Sequence, residues 1–268
     1  MKIQHFAGAL AAAALFLSAC KSKDSNASST AAPSADTLRY EMRNFVKHHC
    51  VNDDQCADFN VIYPDLTGAD SNPAAAAIKK AVSDRLVAGL GGNRNLSFEL
   101  ALDSAATAFI NDFIQLKRDV PEQEMGQTMQ VTGGVLVNNP KIATIRLDFN
   151  SFTGGAHPNS ASAAMSFERT TGKELRATDM ISDTTALLPL LEKAYKEAKG
   201  LKASDHIGQL LLSEKDKLTL PVNIAVVPQG ILFAYSDYEV SPHAVGPADI
   251  VLTWEQLGTL ADRKKWLE

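Results

Sequence analysis

The chain has 268 residues, 45% of them apolar and 21% charged, enough to bury one large core or two small ones and too apolar for an unstructured polymer. Its 31 acidic residues outnumber 26 basic ones, a formal charge of −5 at pH 7, so neither a nucleic-acid partner nor an electrostatic membrane patch is expected. A basic partner would suit that balance, although mild acidity is also ordinary for exported soluble proteins.

The first residues read as an address. Lys2 precedes an apolar run from Phe6 to Leu17, too short and Ala-rich to span a bilayer, and Leu17-Ser18-Ala19-Cys20 closes it with small residues before a cysteine. This predicts a bacterial lipoprotein signal over residues 1–19, cut before Cys20, which is then acylated. A plain signal peptide with an incidental cysteine is the alternative. Lys21, not aspartate, follows, which favours the outer membrane where the source has two. The expected location is the bacterial cell envelope, facing periplasm or surface, with the membrane held through lipid alone. Loss of Lys2 leaves 25 basic against 31 acidic residues, a formal charge of −6. Residues 20–37 are Ser, Ala and Asp with little to bury, a flexible tether whose random-coil reach is about 20–25 Å.

In an oxidising compartment Cys50 and Cys56 are expected to form a disulfide pinning a turn that carries Asp53 and Asp54. A redox pair favours the tighter C-x-x-C spacing. His48-His49 beside them sit on opposite faces of a strand and make a poor joint chelate.

Alternation in Leu38–Arg43 and the run Phe59–Leu66 predict two strands, the second limited by Pro64. Asn72-Pro73 opens a helix with Ile78, Val82 and Leu86 on one face, ending at Gly91-Gly92. A second helix runs from about Ser97 to Arg118. From Thr128 the period is two: Val131, Val135 and Val137, then a turn at Asn138-Asn139-Pro140, then Ile145–Asn150. Ala161–Glu168 is a further strand. Thr185–Lys199 and Ala203–Ser213 read as helices, Val222–Val227, Ile231–Tyr235 and Asp249–Leu252 as strands, and Trp254–Leu267 as a closing amphipathic helix. Clustered strands and helices with frequent hairpin turns predict an α+β fold, a mainly antiparallel sheet with helices packed on one face. No glycine loop of the kind that cradles phosphate follows a strand, so a nucleotide is not expected, and no other cofactor is implied.

Two loops carry the candidate chemistry. Phe152–Asn159 (FTGGAHPN) offers two glycines and His157 held extended by Pro158, either a rigid bend or a presented imidazole. Tyr235–Pro247 offers Tyr235, Asp237, Tyr238, Glu239 and His243 between Pro and Gly, suited to recognition or to plugging a core edge. No H-E-x-x-H spacing or nucleophile elbow occurs, so no metal site and no catalytic residue is assigned.

These stretches are also where the chain resembles a known family. FTGGAHPN, then Phe167–Leu175 (FERTTGKEL) with Asp179-Met180, and later Gly230–Phe233 (GILF) with Tyr238-Glu239-Val240, Pro242 and Gly246, resemble the RsiV C-terminal-like family over about Ser151–Ala261. Asp58–Asn150 looks like the companion domain that precedes it. The resemblance implies an extracytoplasmic domain of unknown function, found in lipoproteins, lysozyme-binding anti-sigma factors and polysaccharide deacetylases. His243 stands where the family often has a second tyrosine. A subdomain over 38–150 and an RsiV-like one over 151–268 follow. The expected function is non-enzymatic binding of a cell-wall-related ligand, a lysozyme-like protein or peptidoglycan, through Gly154, Gly155, His157, Pro158, Asn159, Tyr235, Asp237, Tyr238, Pro242 and His243. A cell-wall hydrolase or deacetylase using His157, His243 and Asp237, and a purely structural envelope component, are the alternatives.

Overall fold

The computed structural model describes residues 37–268 apart from 53, 123, 203 and 213–216. The expected signal segment, the acylated Cys20, most of the tether and Asp53 lie outside the described residues.

The fold is α+β. Strands β1 (Tyr40–Cys50), β2 (Cys56–Leu66), β3 (Gln127–Asn138), β4 (Ile142–Phe152) and β5 (Asn159–Glu168) form one sheet in that order. Strands β6 (Asn223–Val227), β7 (Gly230–Tyr235) and β8 (Ala248–Thr253) form a second. Every pairing is antiparallel except β2–β3. That parallel pair follows from the connection: α1 (Pro73–Gly89) and α2 (Phe98–Asp119) intervene, a crossover long enough to return the chain in the same direction. Strand β2 runs through Pro64 to Leu66, because its pairing with β3 has ended at Ile62 and Pro64 faces only β1 as a ladder partner.

Helix α1 starts where Asn72 accepts the Ala74 and Ala75 amides, with Pro73 in the first turn. Its Ile78, Val82 and Leu86 join Leu102 and Ala106 of α2 over Phe59, Val61, Val131, Ile145 and Leu147. The other face of β4 and β5 meets the second sheet. Ala164 packs with Ala225, Val227, Leu232 and Ala234, where the three alanines let the layers approach closely. The far face of β6 and β7 presents Val226, Ile231, Phe233 and Tyr235 to α4 (Thr184–Ala198), next to the short α3 (Ala177–Met180). Burial on both faces is why these two strands are continuous apolar runs.

Three local readings are corrected. The register slips between Val135 and Val137, so Leu136 is an extra residue and Val137 turns to the second core while Val131 stays in the first. Among the described residues of the helix expected at Ala203–Ser213, the chain forms a single 3-10 turn, Ile207–Leu210, with Gly208 inside it. The closing helix is broken into α5 (Trp254–Leu257), a 3-10 turn and α6 (Arg263–Leu267), with Gly258 at φ 52° and Asp262 capping anew.

One hydrogen-bond circuit locks the sheets together. The Val226 amide donates to Ser166 Oγ at 2.9 Å, and Thr144 Oγ1 donates to the Val226 carbonyl at 2.8 Å. The hydroxyls lie 2.8 Å apart, and since the Thr144 proton is used, Ser166 is the donor between them. Both side chains are fully buried.

Candidate functional site

Strand β5 is a border of the larger sheet, and its outward amides are closed by side chains. Ser160 N donates to Asp237 Oδ2 at 3.0 Å, Ser162 N to Ser236 Oγ at 3.2 Å and Ala164 N to Asn223 Oδ1 at 3.4 Å. The return bond runs from Asp237 N to the Ser160 carbonyl, 3.3 Å. This clasp brings the β7–β8 loop against the β4–β5 loop.

There the two motif loops meet. The His157 and His243 rings stack with centroids 3.6 Å apart and planes 11° from parallel, and Tyr238 lies 5.7 Å from His243. His157 Nδ1 is 3.1 Å from the Pro158 carbonyl, which makes Nδ1 the protonated nitrogen and leaves Nε2 to accept from Tyr238 Oη at 3.4 Å. Gly154 at φ 89° supplies the bend. Tyr238 sits at φ 62°, a left-handed conformation that costs a tyrosine energy, so its surroundings must hold it.

The loop's charged groups do that holding. Glu239 accepts from Val222 N at 2.6 Å with one oxygen and from Ser236 N at 2.9 Å with the other. Lys199, which caps the end of α4, donates to the Val245, Gly246 and Pro247 carbonyls at 2.8–2.9 Å. Burial lowers its ammonium below the ordinary lysine range, opposed in part by the charge of Asp237. The Asp237 side chain is only 3% exposed, and its Oδ1 has no hydrogen-bond partner among the described residues. His243 Nδ1 is 3.5 Å from Oδ2, within ion-pair reach but outside hydrogen-bond geometry.

A polar groove of about 330 Å³ borders the clasp, sharing Ser160, Ser162 and Ser236 with it. Arg146 of β4 holds Asp148 with Nε and reaches Asp249 of β8 at 2.6 Å and Ser162 Oγ at 3.1 Å. Burial alone would lower the guanidinium, but the bonds to Asp249 and Asp148 outweigh it and keep Arg146 above its ordinary value. A larger cavity, about 740 Å³, lies along α1, lined by Asp70, Lys79, Lys80, Asp84 and Arg94, with Lys79 paired to Asp65 and Lys80 to Asp84. The smaller groove has the convergent polar groups.

Gly154, Gly155, His157, Pro158, Asn159, Asp237, Tyr238, Pro242 and His243 all lie on the two apposed loops or at their ends. The Tyr235 side chain lies apart from them. It is 2% exposed, donates to the Thr219 carbonyl at 2.8 Å and stacks edge-on against Tyr195, because β7 directs it into the second core. Arg146, Asp148 and Asp249 escaped the sequence reading. The first two are the solvent-side positions of the alternating Ile145–Asn150 strand, but no sequence signal pairs them with a residue about 100 positions away. The Cys50–Cys56 disulfide is formed and closes the β1–β2 hairpin.

Residues 50–160 match the family model described as Deacetylase PdaC, and residues 178–255 match that of a protein of unknown function, DUF3298. FTGGAHPN therefore falls in the first match and the tyrosine loop in the second, and the stacked imidazoles join the two segments. Among solved structures, a DUF3298 family member from Bacteroides fragilis is 15% identical with a TM-score of 0.65, over 84% of this chain and 94% of that one. A DUF3298 family protein from Pseudomonas aeruginosa PAO1 is 16% identical with a TM-score of 0.57, over 85% and 95%. These likenesses are of fold. No curated protein matches the sequence. The matches support this related pair of domain families, and the narrower RsiV-like assignment stands as a resemblance.

Proposed function

We propose that this chain is a non-enzymatic binding module of the bacterial cell envelope, anchored through lipid on Cys20, whose ligand is the glycan of peptidoglycan. The observation that carries the reading is the Arg146–Asp148–Asp249 groove, which shares Ser160 and Ser236 with the clasp holding the loops that carry the His157, His243 and Tyr238 rings. Flat rings beside a dense set of donors and acceptors suit a sugar, which offers an apolar face and a rim of hydroxyls. The carboxylates favour binding over catalysis. Glu239 spends both oxygens on backbone amides, and Asp237 spends one on Ser160. The experiment is co-sedimentation with insoluble peptidoglycan and titration with soluble muropeptides. Arg146→Ala and Tyr238→Ala are expected to weaken binding about tenfold or more, and equal retention of both variants would refute the groove as the site.

A second reading has one observation in its favour. His157, His243 and Asp237 lie within contact distance, and residues 50–160 match a model named for a deacetylase. Release of acetate or reducing ends from an N-acetylated glycan, lost in His243→Ala, would replace the binding reading with an enzymatic one. A lysozyme-like protein is the remaining ligand class, suited to the acidic charge and exposed Tyr238. Inhibition of lysozyme by the chain, weakening as salt rises, would identify it. Fatty-acid labelling abolished by Cys20→Ser tests the anchor.

A further inference from the structure

The end of the β1–β2 hairpin gathers four reactive side chains on one face. His48 and Cys50 stand two apart on β1 and pair across the ladder with Asp58 and Cys56. All four leave the sheet on the side opposite buried Ala57 and Phe59. His48 Nδ1 lies 2.5 Å from Asp58 Oδ1, and its other nitrogen, Nε2, lies 2.9 Å from Cys50 Sγ. The ligating atoms of His48, Cys50 and Cys56 all fall within 4.8 Å of one another. The His48 and Asp58 side chains are 53% and 50% exposed, so an external reagent reaches them.

Closing a hairpin needs no carboxylate–imidazole pair directed at one of the two sulfurs. The geometry points to a thiol–disulfide exchange site, in which His48, oriented by Asp58, stabilises Cys50 as the leaving thiolate when an external dithiol opens the bond. Asp58 accepts the Nδ1–H, which leaves Nε2 as an open acceptor facing Cys50 Sγ that takes up a proton as the thiolate departs. One thiolate of the dithiol attacks Cys56 Sγ, the S–S bond breaks, and Cys50 departs with the electron pair. The second thiol then attacks the reagent's own sulfur in the mixed disulfide and releases Cys56. The dithiol ends as a disulfide, oxidised by two electrons. The protein gains those electrons and both protons, one on the Cys56 thiol and one on His48 Nε2 beside the Cys50 thiolate. Asp58 acts through His48 and is a positioning residue.

The test treats the oxidised chain with dithiothreitol at neutral pH, quenches with iodoacetamide and reads the opened fraction by mass. Wild type is expected to open about tenfold faster than His48→Ala, because a stabilised thiolate leaves faster. A monothiol, 2-mercaptoethanol, locates the attack. The trapped mixed disulfide is expected on Cys56 in wild type and divided between both cysteines in His48→Ala and Asp58→Asn. Loss of hairpin packing alone would not move that partition. Asp58→Asn keeps the partition readable should His48→Ala fold poorly. Equal opening rates, or an even partition in wild type, would overturn the proposal.

Discussion

Replacing Ser166 by alanine probes the seam on which the groove depends, since Arg146 comes from one sheet and Asp249 from the other. The change removes one oxygen, and its chief effect is on a neighbour: the Val226 amide, 2.9 Å from that oxygen, loses its acceptor. Ser166 and Thr144 are both fully buried, so solvent does not replace the lost bond. An unsatisfied buried amide costs about 1–3 kcal/mol, and we expect a loss of about 2 kcal/mol. For a body of this size that corresponds to a fall in Tm of about 4–8 °C. Thr144→Val keeps the shape and strands the Val226 carbonyl instead, at about 1 kcal/mol, because a carbonyl tolerates the loss better than an amide. In the double variant the costs should fall short of their sum, since either change alone already opens the circuit. Equilibrium urea unfolding of the four proteins measures all of this. A loss below about 0.5 kcal/mol for Ser166→Ala would show that the circuit does not hold the sheets.

Three other outcomes are expected. Burial first, then the charge of Glu239 and the neighbouring Tyr195, raises Tyr235 far above its ordinary value of 10.0, so the unfolded chain loses this proton first. The folded state binds more protons there, and stability present below pH 10 should fall as pH rises beyond it. Thermal melts of Tyr235→Phe should show a shallower alkaline decline, and an unchanged slope would contradict the assignment. Lys199→Met removes three bonds to the 245–247 carbonyls, so protease cleavage within Ser236–Gly246 should accelerate severalfold with only about 1–2 kcal/mol lost in global unfolding. Replacing both Cys50 and Cys56 by serine should cost about 2 kcal/mol in urea unfolding, as chain entropy gives for so short a loop, and no measurable loss would contradict that account.

The helices whose signals lie in the local sequence were legible: Asn72-Pro73 before α1 and Gly91-Gly92 after it, and helical spacing through α2. The β3–β4 turn was equally plain. What periodicity could not supply was set by contacts between distant segments. Nothing local distinguishes a parallel β2–β3 pairing from an antiparallel one, and one extra residue at Leu136 reverses the face of every position after it. Ala203–Ser213 carries enough leucine and isoleucine for a helix, but Gly208 and docking of Leu212 N on the Val240 carbonyl hold it as a turn. At the site, glycine, proline and histidine marked the loops, because those residues have few other reasons to cluster. For Tyr235 the sequence leaves recognition and core plugging open, because a tyrosine at a strand end gives no sign of which way its ring faces.

The closure of β5 also bears on self-association. Filaments built by adding strand to strand need two open borders on every copy, one to give and one to receive. In the five-stranded sheet Asp237, Ser236 and Asn223 already occupy the amides along one border, and β1 forms the other. Growth through that sheet would therefore stop at two copies, β1 against β1, with no template left for a third.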